Sequence, residues 1–255
     1  MKLFSFTHTT TVFLGFIFTA FTGTIEDLLQ KAENARNEFK DKDAIGCYQQ
    51  VLLIDSNNFH ALWQTSFLYQ RMGWLEENPD VKKQFYARAI YYAKKLFAKF
   101  PETYEANIVM AGGLARQSEF LPAKEKVHAA WDIKKYGEKA MSLNPNDHQV
   151  WYLLGWLNFE LSKANWVERS LASLLFGGLP VEVSVDKGIR YLEKANELKP
   201  DCIVYLYDLA TFYEYKADTA AAIRLTKKAL AIPPAAPEDF IYRKKLENLL
   251  FRLDS

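Results

Sequence analysis

The chain reads as an all-α protein, a right-handed α-α superhelix of stacked helix pairs with inserted segments, and three observations lead there. First, a short word ending in proline recurs: "LFAKFP" to Pro101, "AMSLNP" to Pro145, "ANELKP" to Pro200 and "ALAIPP" to Pro234, with a degenerate copy, "VLLIDS", ending at Ser56. Proline removes a backbone donor and clashes with the preceding turn, so each word closes an amphipathic helix. Second, a new helical pattern opens after each word: "HALWQTSFLYQ", "EANIVMAGGLA", "QVWYLLGWLNF" and "VYLYDLATFYE". Each carries a small residue one turn inside, at Ser66, Ala111, Gly155 and Ala210, where two helix axes can approach closely. Third, 49% hydrophobic residues with only 11 Gly and 9 Pro exclude a loop-rich all-β protein.

The elements follow in chain order. The opening "MKLFSFTHTTTVFLGFIFTAFTG" has one Lys, an apolar run from Val12 to Phe21, and no acid before Glu26. It predicts a secretory signal over residues 1–23, with the mature chain starting close to Gly23. Leu3 to Thr24 is also free of formal charge and near the ~20 residues that span a bilayer, so an uncleaved anchor is the alternative. The expected location is accordingly exported (periplasm or secreted), or membrane-anchored with membrane contact through the N-terminus. Residues 24–255 form the expected repeat domain.

Spacing between the closing words is 45, 44, 55 and 34 residues from Ser56 to Pro234. The cleanest copy, Ile203 to Ala236, is 34 residues long, so the earlier intervals carry extras of 11, 10 and 21. The first extra sits at "WLEENPDVK", where Asn78 caps a helix that starts at Pro79. The second sits at "QSEFLPAKEK", where Pro122 opens a lengthened helix. The third divides the fourth helix pair. Over Asn165 to Ser184 the pattern predicts a helix, a Gly177 left-handed stop, a Gly-Gly-Leu-Pro turn, and Ser184 capping the next helix. This insert is expected to pack against the fourth and fifth repeats, burying Trp166, Leu171, Leu174 and Phe176, with Arg169 paired to an acid at a groove rim. It serves either as a structural extension or as a lid. A capping helix from about Glu238 to Leu253 ends the chain.

The 34-residue helix-turn-helix, with its small, aromatic, small, proline pattern, resembles the tetratricopeptide repeat. The stretch "VWYLLGWLNFELSKANWVERSLASLLFGGLPVEVSVDKGIRYLEKANELKPD" further resembles the regulator of microtubule dynamics family. Trp151, Gly155, Trp156, Trp166, Arg169, Phe176, Gly177 and Pro180 carry that resemblance, which extends over roughly Phe59 to Leu250. It implies a tetratricopeptide-like domain, often membrane-tethered, that acts by binding and has no known active site. Eukaryotic members associate with microtubules; the apolar N-terminus here makes an exported bacterial relative the expectation.

No catalytic constellation is visible. His8, His60, His128 and His148 have no second His or Cys at metal-ligand spacing, and Gly177-Gly178 lacks a phosphate-loop Lys. No metal, cofactor or enzymatic activity is expected. A formal net charge of +1 without basic blocks argues against nucleic acid. Cys47 and Cys202 are expected to be free, part-buried thiols. The outward faces of the first helix in each pair nominate Trp63, Phe67, Arg71, Arg116, Tyr152, Trp156, Tyr207 and Tyr215, with Arg169 from the insert, as partner-binding residues. Trp, Tyr and Arg anchor protein interfaces, so the predicted function is a scaffold that holds a peptide or protein in a concave aromatic groove. The alternative is a carrier of a lipid or other hydrophobic small molecule. A continuous apolar tunnel would mark the carrier, and a polar-rimmed groove the scaffold. Trp156 and Phe159 read equally as core.

Overall fold

The computed structural model describes residues 25–180 and 184–254. Twelve α-helices occur among the described residues: α1 (25–37), α2 (Asp41–Ile54), α3 (Phe59–Leu75), α4 (Pro79–Lys99), α5 (Tyr104–Gln117), α6 (Ala123–Leu143), α7 (His148–Ser162), α8 (Trp166–Phe176), α9 (Val185–Leu198), α10 (Ile203–Tyr215), α11 (Thr219–Leu230) and α12 (Pro237–Leu253). No described residue is in a strand. The expected signal over 1–23 lies outside the described residues. Among those that are described, no helix is long and apolar enough to cross a membrane.

Side-chain caps define the helix starts. Asn78 accepts from the backbone N–H groups of Asp80 and Val81, with Pro79 as the first helical residue. Thr103, Asp147, Ser184 and Asp218 cap α5, α7, α9 and α11 in the same way. Each such cap contributes ~1 kcal/mol by satisfying an orphan donor. Pro122 stands at the N-cap position of the 21-residue α6.

The chain divides into two units at Thr65/Ser66, within α3. In the first, Ala32, Ala44, Tyr48, Val51 and Leu62 form the buried core. One carboxylate ties its three helices together. Glu33 of α1 accepts from the Tyr48 hydroxyl, lies 2.7 Å from His60 Nε2, and receives Arg36 Nε and Nη2 at 2.9 and 2.6 Å. Burial alone would raise its pKa, but hydrogen bonds from Tyr48, His60 and Arg36 together hold it down at about 2.

In the second unit α5 packs on α6, α7 on α9 and α10 on α11, and successive pairs meet through α4–α5, α6–α7 and α9–α10. The small residues sit where the pattern requires them. Ser66, Ala111 and Ala210 are fully buried, and the Ser66 hydroxyl donates to the Ala89 carbonyl at 2.9 Å. At Gly155 a Cβ would overlap Leu192 Cδ1 and stand only 3.0 Å from the Gly188 carbonyl oxygen. Phe159 is core: its ring stacks on Phe212 with centroids 3.6 Å apart, beside Ile189, Leu192 and Leu209.

The insert corrects three expectations: its neighbour, its burial and the partner of Arg169. Helix α7 stops at Ser162, and α8 follows as a separate helix, opened by a capping box between Asn165 and Glu168 and closed by Gly177 at φ 76°. Its neighbour is α6, in the third pair, and not the fifth pair. It buries only Ala172 fully, while Phe176 stacks on Trp131 at 5.2 Å and meets His128 at 5.0 Å. Trp166 and Leu174, expected inside, are 78% and 81% exposed. A short helix against a single neighbour buries one narrow stripe, and here that stripe is centred on its smallest side chain. Among the described residues Arg169 pairs with no acid; its Nε and Nη2 donate to the carbonyls of Ala164 and Ser162 at 2.9 and 3.2 Å. Those carbonyls are orphans at the end of α7, and they satisfy the guanidinium without a carboxylate.

Candidate functional site

A cavity of about 260 Å³ opens in the second unit, on the face shared by the first helices of its pairs. Residues spaced three or four apart on one helix project from one face, so each helix contributes a short column. From α3 come Phe67, Arg71 and Trp74; from α5, Ile108, Gly112 and Arg116; from α7, Gln149, Tyr152 and Trp156. The α9–α10 junction adds Lys199, Cys202 and Tyr205, and the first turn of α12 adds Glu238.

The polar groups are organised around two arginines. Arg71 Nη2 lies 3.0 Å from Glu238 Oε2, with both side chains largely buried. The Arg116 guanidinium sits over the Trp74 ring, 5.5 Å from its centroid. Behind them runs an aromatic seam in which Tyr242 meets Trp74 at 5.2 Å and Tyr207 at 5.0 Å, and Lys245 lies over Tyr242 at 4.5 Å. The Tyr152 hydroxyl donates to Asp208 Oδ2 at 2.7 Å, and its ring stacks on Tyr205. Burial pushes the Asp208 carboxyl up to about 6, although the Tyr152 hydrogen bond and the nearby Arg116 and Lys245 charges oppose it. His148 Nδ1 is 2.6 Å from the Tyr205 hydroxyl; burial and the Lys199 charge hold its pKa below the ordinary histidine value. Burial also raises the Cys202 thiol, and both Cys47 and Cys202 are free. Among the described residues no three His, Cys, Asp or Glu side chains gather as a metal-ligand set.

Of the nominated residues, Phe67, Arg71, Arg116, Tyr152 and Trp156 come together in this cavity. Trp63 lies in the first unit, edge-on to His60 at 5.7 Å. Three more also fall outside the cavity lining. Arg169 caps α7. Tyr215 is 53% exposed at the end of α10, with its ring edge against Phe159. Tyr207 faces Tyr242, because α12 packs on α10 as well as on α11. Trp74 was legible in principle, since it continues the Phe67, Arg71 column by three residues. Glu238 was not: it reaches Arg71 across 167 positions of sequence.

A second cavity, of about 530 Å³, shares Arg116 and Trp156 with the first. Its other walls include Val127 and Ile133 of α6, Glu160 of α7, Glu168 of α8, and Leu179 and Pro180 of the turn. The insert therefore walls a second chamber, with Arg116 and Trp156 between the two.

Comparison with known proteins gives a consistent result. The family described as Regulator of microtubule dynamics protein 1-3 matches residues 28–254. Regulator of microtubule dynamics protein 3 of Xenopus laevis is 26% identical over 227 residues, covering 88% of this chain and 49% of that protein. Regulator of microtubule dynamics protein 2 of Bos taurus is 24% identical over 230 residues, covering 88% and 55%. The chain thus spans about half the length of these curated relatives. Among solved structures, a thermophilic TPR protein of Thermus thermophilus superposes with a TM-score of 0.65 at 16% identity, covering 89% of this chain and 99% of that one. The Pseudomonas aeruginosa pilF structure gives 0.52 at 12% identity, covering 92% and 90%. The fold is an all-α, tetratricopeptide-like solenoid.

Proposed function

This chain belongs to the regulator of microtubule dynamics family, and from that premise we propose that it is a non-enzymatic scaffold that holds a segment of a partner protein in the cavity formed by α3, α5, α7, α10 and the start of α12. The observation that carries the reading is the convergence of five helices on one recess with aromatic walls and a charged rim. Phe67, Trp74, Tyr152 and Trp156 supply large, stiff contact surfaces, while Arg71, Arg116 and Gln149 supply directional donors. Aromatic and arginine anchors of this kind dominate the energetics of protein interfaces. A lipid carrier would need a continuous apolar tunnel, and the charged rim favours the scaffold. The relatives' names speak of microtubule dynamics; for this chain the proposal stops at a protein partner.

Photo-crosslinking in the native host tests it. Trp156→p-benzoylphenylalanine should capture a discrete partner protein on illumination. The same substitution at Leu53, which is 86% exposed on α2, should not capture it. Equal capture from both positions, or none from position 156 in a folded protein, would remove the cavity as the binding site.

A further inference from the structure

The cavity's charges do not balance. Arg71, Arg116 and Lys199 face a single carboxylate, Glu238, which leaves two positive charges in excess at one recess of a chain whose whole formal net charge is +1. Glu238 is committed to Arg71. Arg116 forms no salt bridge among the described residues; its guanidinium rests over Trp74. The nearby carboxylate, Asp208, lies outside the lining, and its charge is shared between Arg116 and Lys245. His148 adds no compensating negative charge.

We infer that the partner segment is acidic: it places a carboxylate against Arg116, with an adjacent apolar side chain between Trp74 and Trp156, and it competes with Glu238 for Arg71. The inference rests on the reading of this cavity as a protein-binding site. Three features support it together. Arg116 lies between the two chambers, so a chain running from one to the other must pass its guanidinium. The aromatic walls on either side suit an apolar neighbour of the acid. Glu238 already shows the bonding that a ligand carboxylate would adopt, and it belongs to the first turn of a helix preceded by the Pro-rich link Pro233 to Pro237. Intramolecular occupation of Arg71 therefore sets a threshold that an acidic partner must overcome, and an uncharged partner has nothing to exchange for it.

Two isosteric probes, acetyl-Phe-Glu-amide and acetyl-Phe-Gln-amide, differ only in the carboxylate. Titrated into the full chain and followed by tryptophan fluorescence, the Glu probe should bind about tenfold more tightly than the Gln probe, as a charge-assisted hydrogen bond to arginine provides. Arg116→Gln should erase that difference. Glu238→Gln should instead tighten the Glu probe several-fold by releasing Arg71, and this opposite sign separates binding from loss of fold. Equal affinity for the two probes would overturn the inference while leaving a peptide-binding cavity in place. So would a Glu238→Gln variant that binds no better. Saturation by monopalmitin, an uncharged lipid, with no response to either peptide would overturn both the acidic preference and the scaffold reading.

Discussion

At Asp208 the cost of burial outweighs the Tyr152 hydrogen bond and the Arg116 and Lys245 charges. Its carboxyl titrates near 6 in the fold against an ordinary 3.8, so the folded state holds the proton more tightly than the unfolded chain does. The sign follows directly. Well below pH 3.8 both states are protonated and the site costs nothing. As pH rises from about 4 to 6 the unfolded chain ionises first, and stability falls. Above 6 the full penalty stands, roughly 3 kcal/mol for a carboxyl raised this far. Asp208→Asn keeps an acceptor for the Tyr152 hydroxyl and removes the charge. Chemical denaturation should show the variant more stable by up to about 3 kcal/mol at about pH 7.5, and nearly equal to the wild type at about pH 3.5. A less stable variant at the higher pH would mean that the Arg116 and Lys245 charges outweigh desolvation. None of this was legible beforehand. Nothing local marks Asp208 for burial: its hydrogen-bond partner, Tyr152, stands 56 positions away on another helix.

Elements were read more accurately than their partners. The closing prolines, the caps at Asn78 and Ser184 and the stop at Gly177 are local chemistry, and all three act as the residue types dictate. Which neighbour α8 would choose is not local chemistry. Counting Trp166, Leu171, Leu174 and Phe176 implied a buried helix, yet Ala172 alone is fully buried, and Phe176, stacked on Trp131 of α6, stays partly exposed. Several residues that carry the family resemblance hold backbone in place: the Trp151 indole donates to the Pro145 carbonyl at 2.7 Å, Gly155 admits α9, and Arg169 closes α7. The exposed face of α8 has a measurable consequence. Replacing Trp166 and Leu174 together by Ser should change stability by no more than about 0.5 kcal/mol, as exposed positions do, while shortening retention on a phenyl column. A drop of several degrees in the melting midpoint would place both side chains in a packed interface instead.

In the second unit as a whole, α12 is both terminus and filler. The sequence placed it well, from about Glu238 against the observed Pro237, but as an end cap. It lies on α10 and α11 and sends Tyr242, Leu246 and Leu249 inward. Long-range closure of this kind arises from the accumulated rotation of helix pairs, which no window of sequence contains. Leu246 is fully buried, so Leu246→Ala should cost about 2–5 kcal/mol. Because α12 also supplies Glu238, amide exchange should quicken in α10 and around the cavity together; faster exchange confined to α12 would show that the helix is peripheral. The α8 insert bears on a different question, that of time. Elsewhere the second helix of a pair follows closely: Thr219 comes four positions after Tyr215, and Ala123 six after Gln117. From Ser162 to Val185 the interval is 23. At translation rates of about 5–20 residues per second, α7 emerges from the ribosome roughly one to five seconds before the helix that covers Gly155 and Phe159 begins to appear. During that interval the face of α7 around Gly155 and Phe159 has no α9 to cover it, so a chaperone that binds apolar nascent segments is expected to engage the chain at this stage.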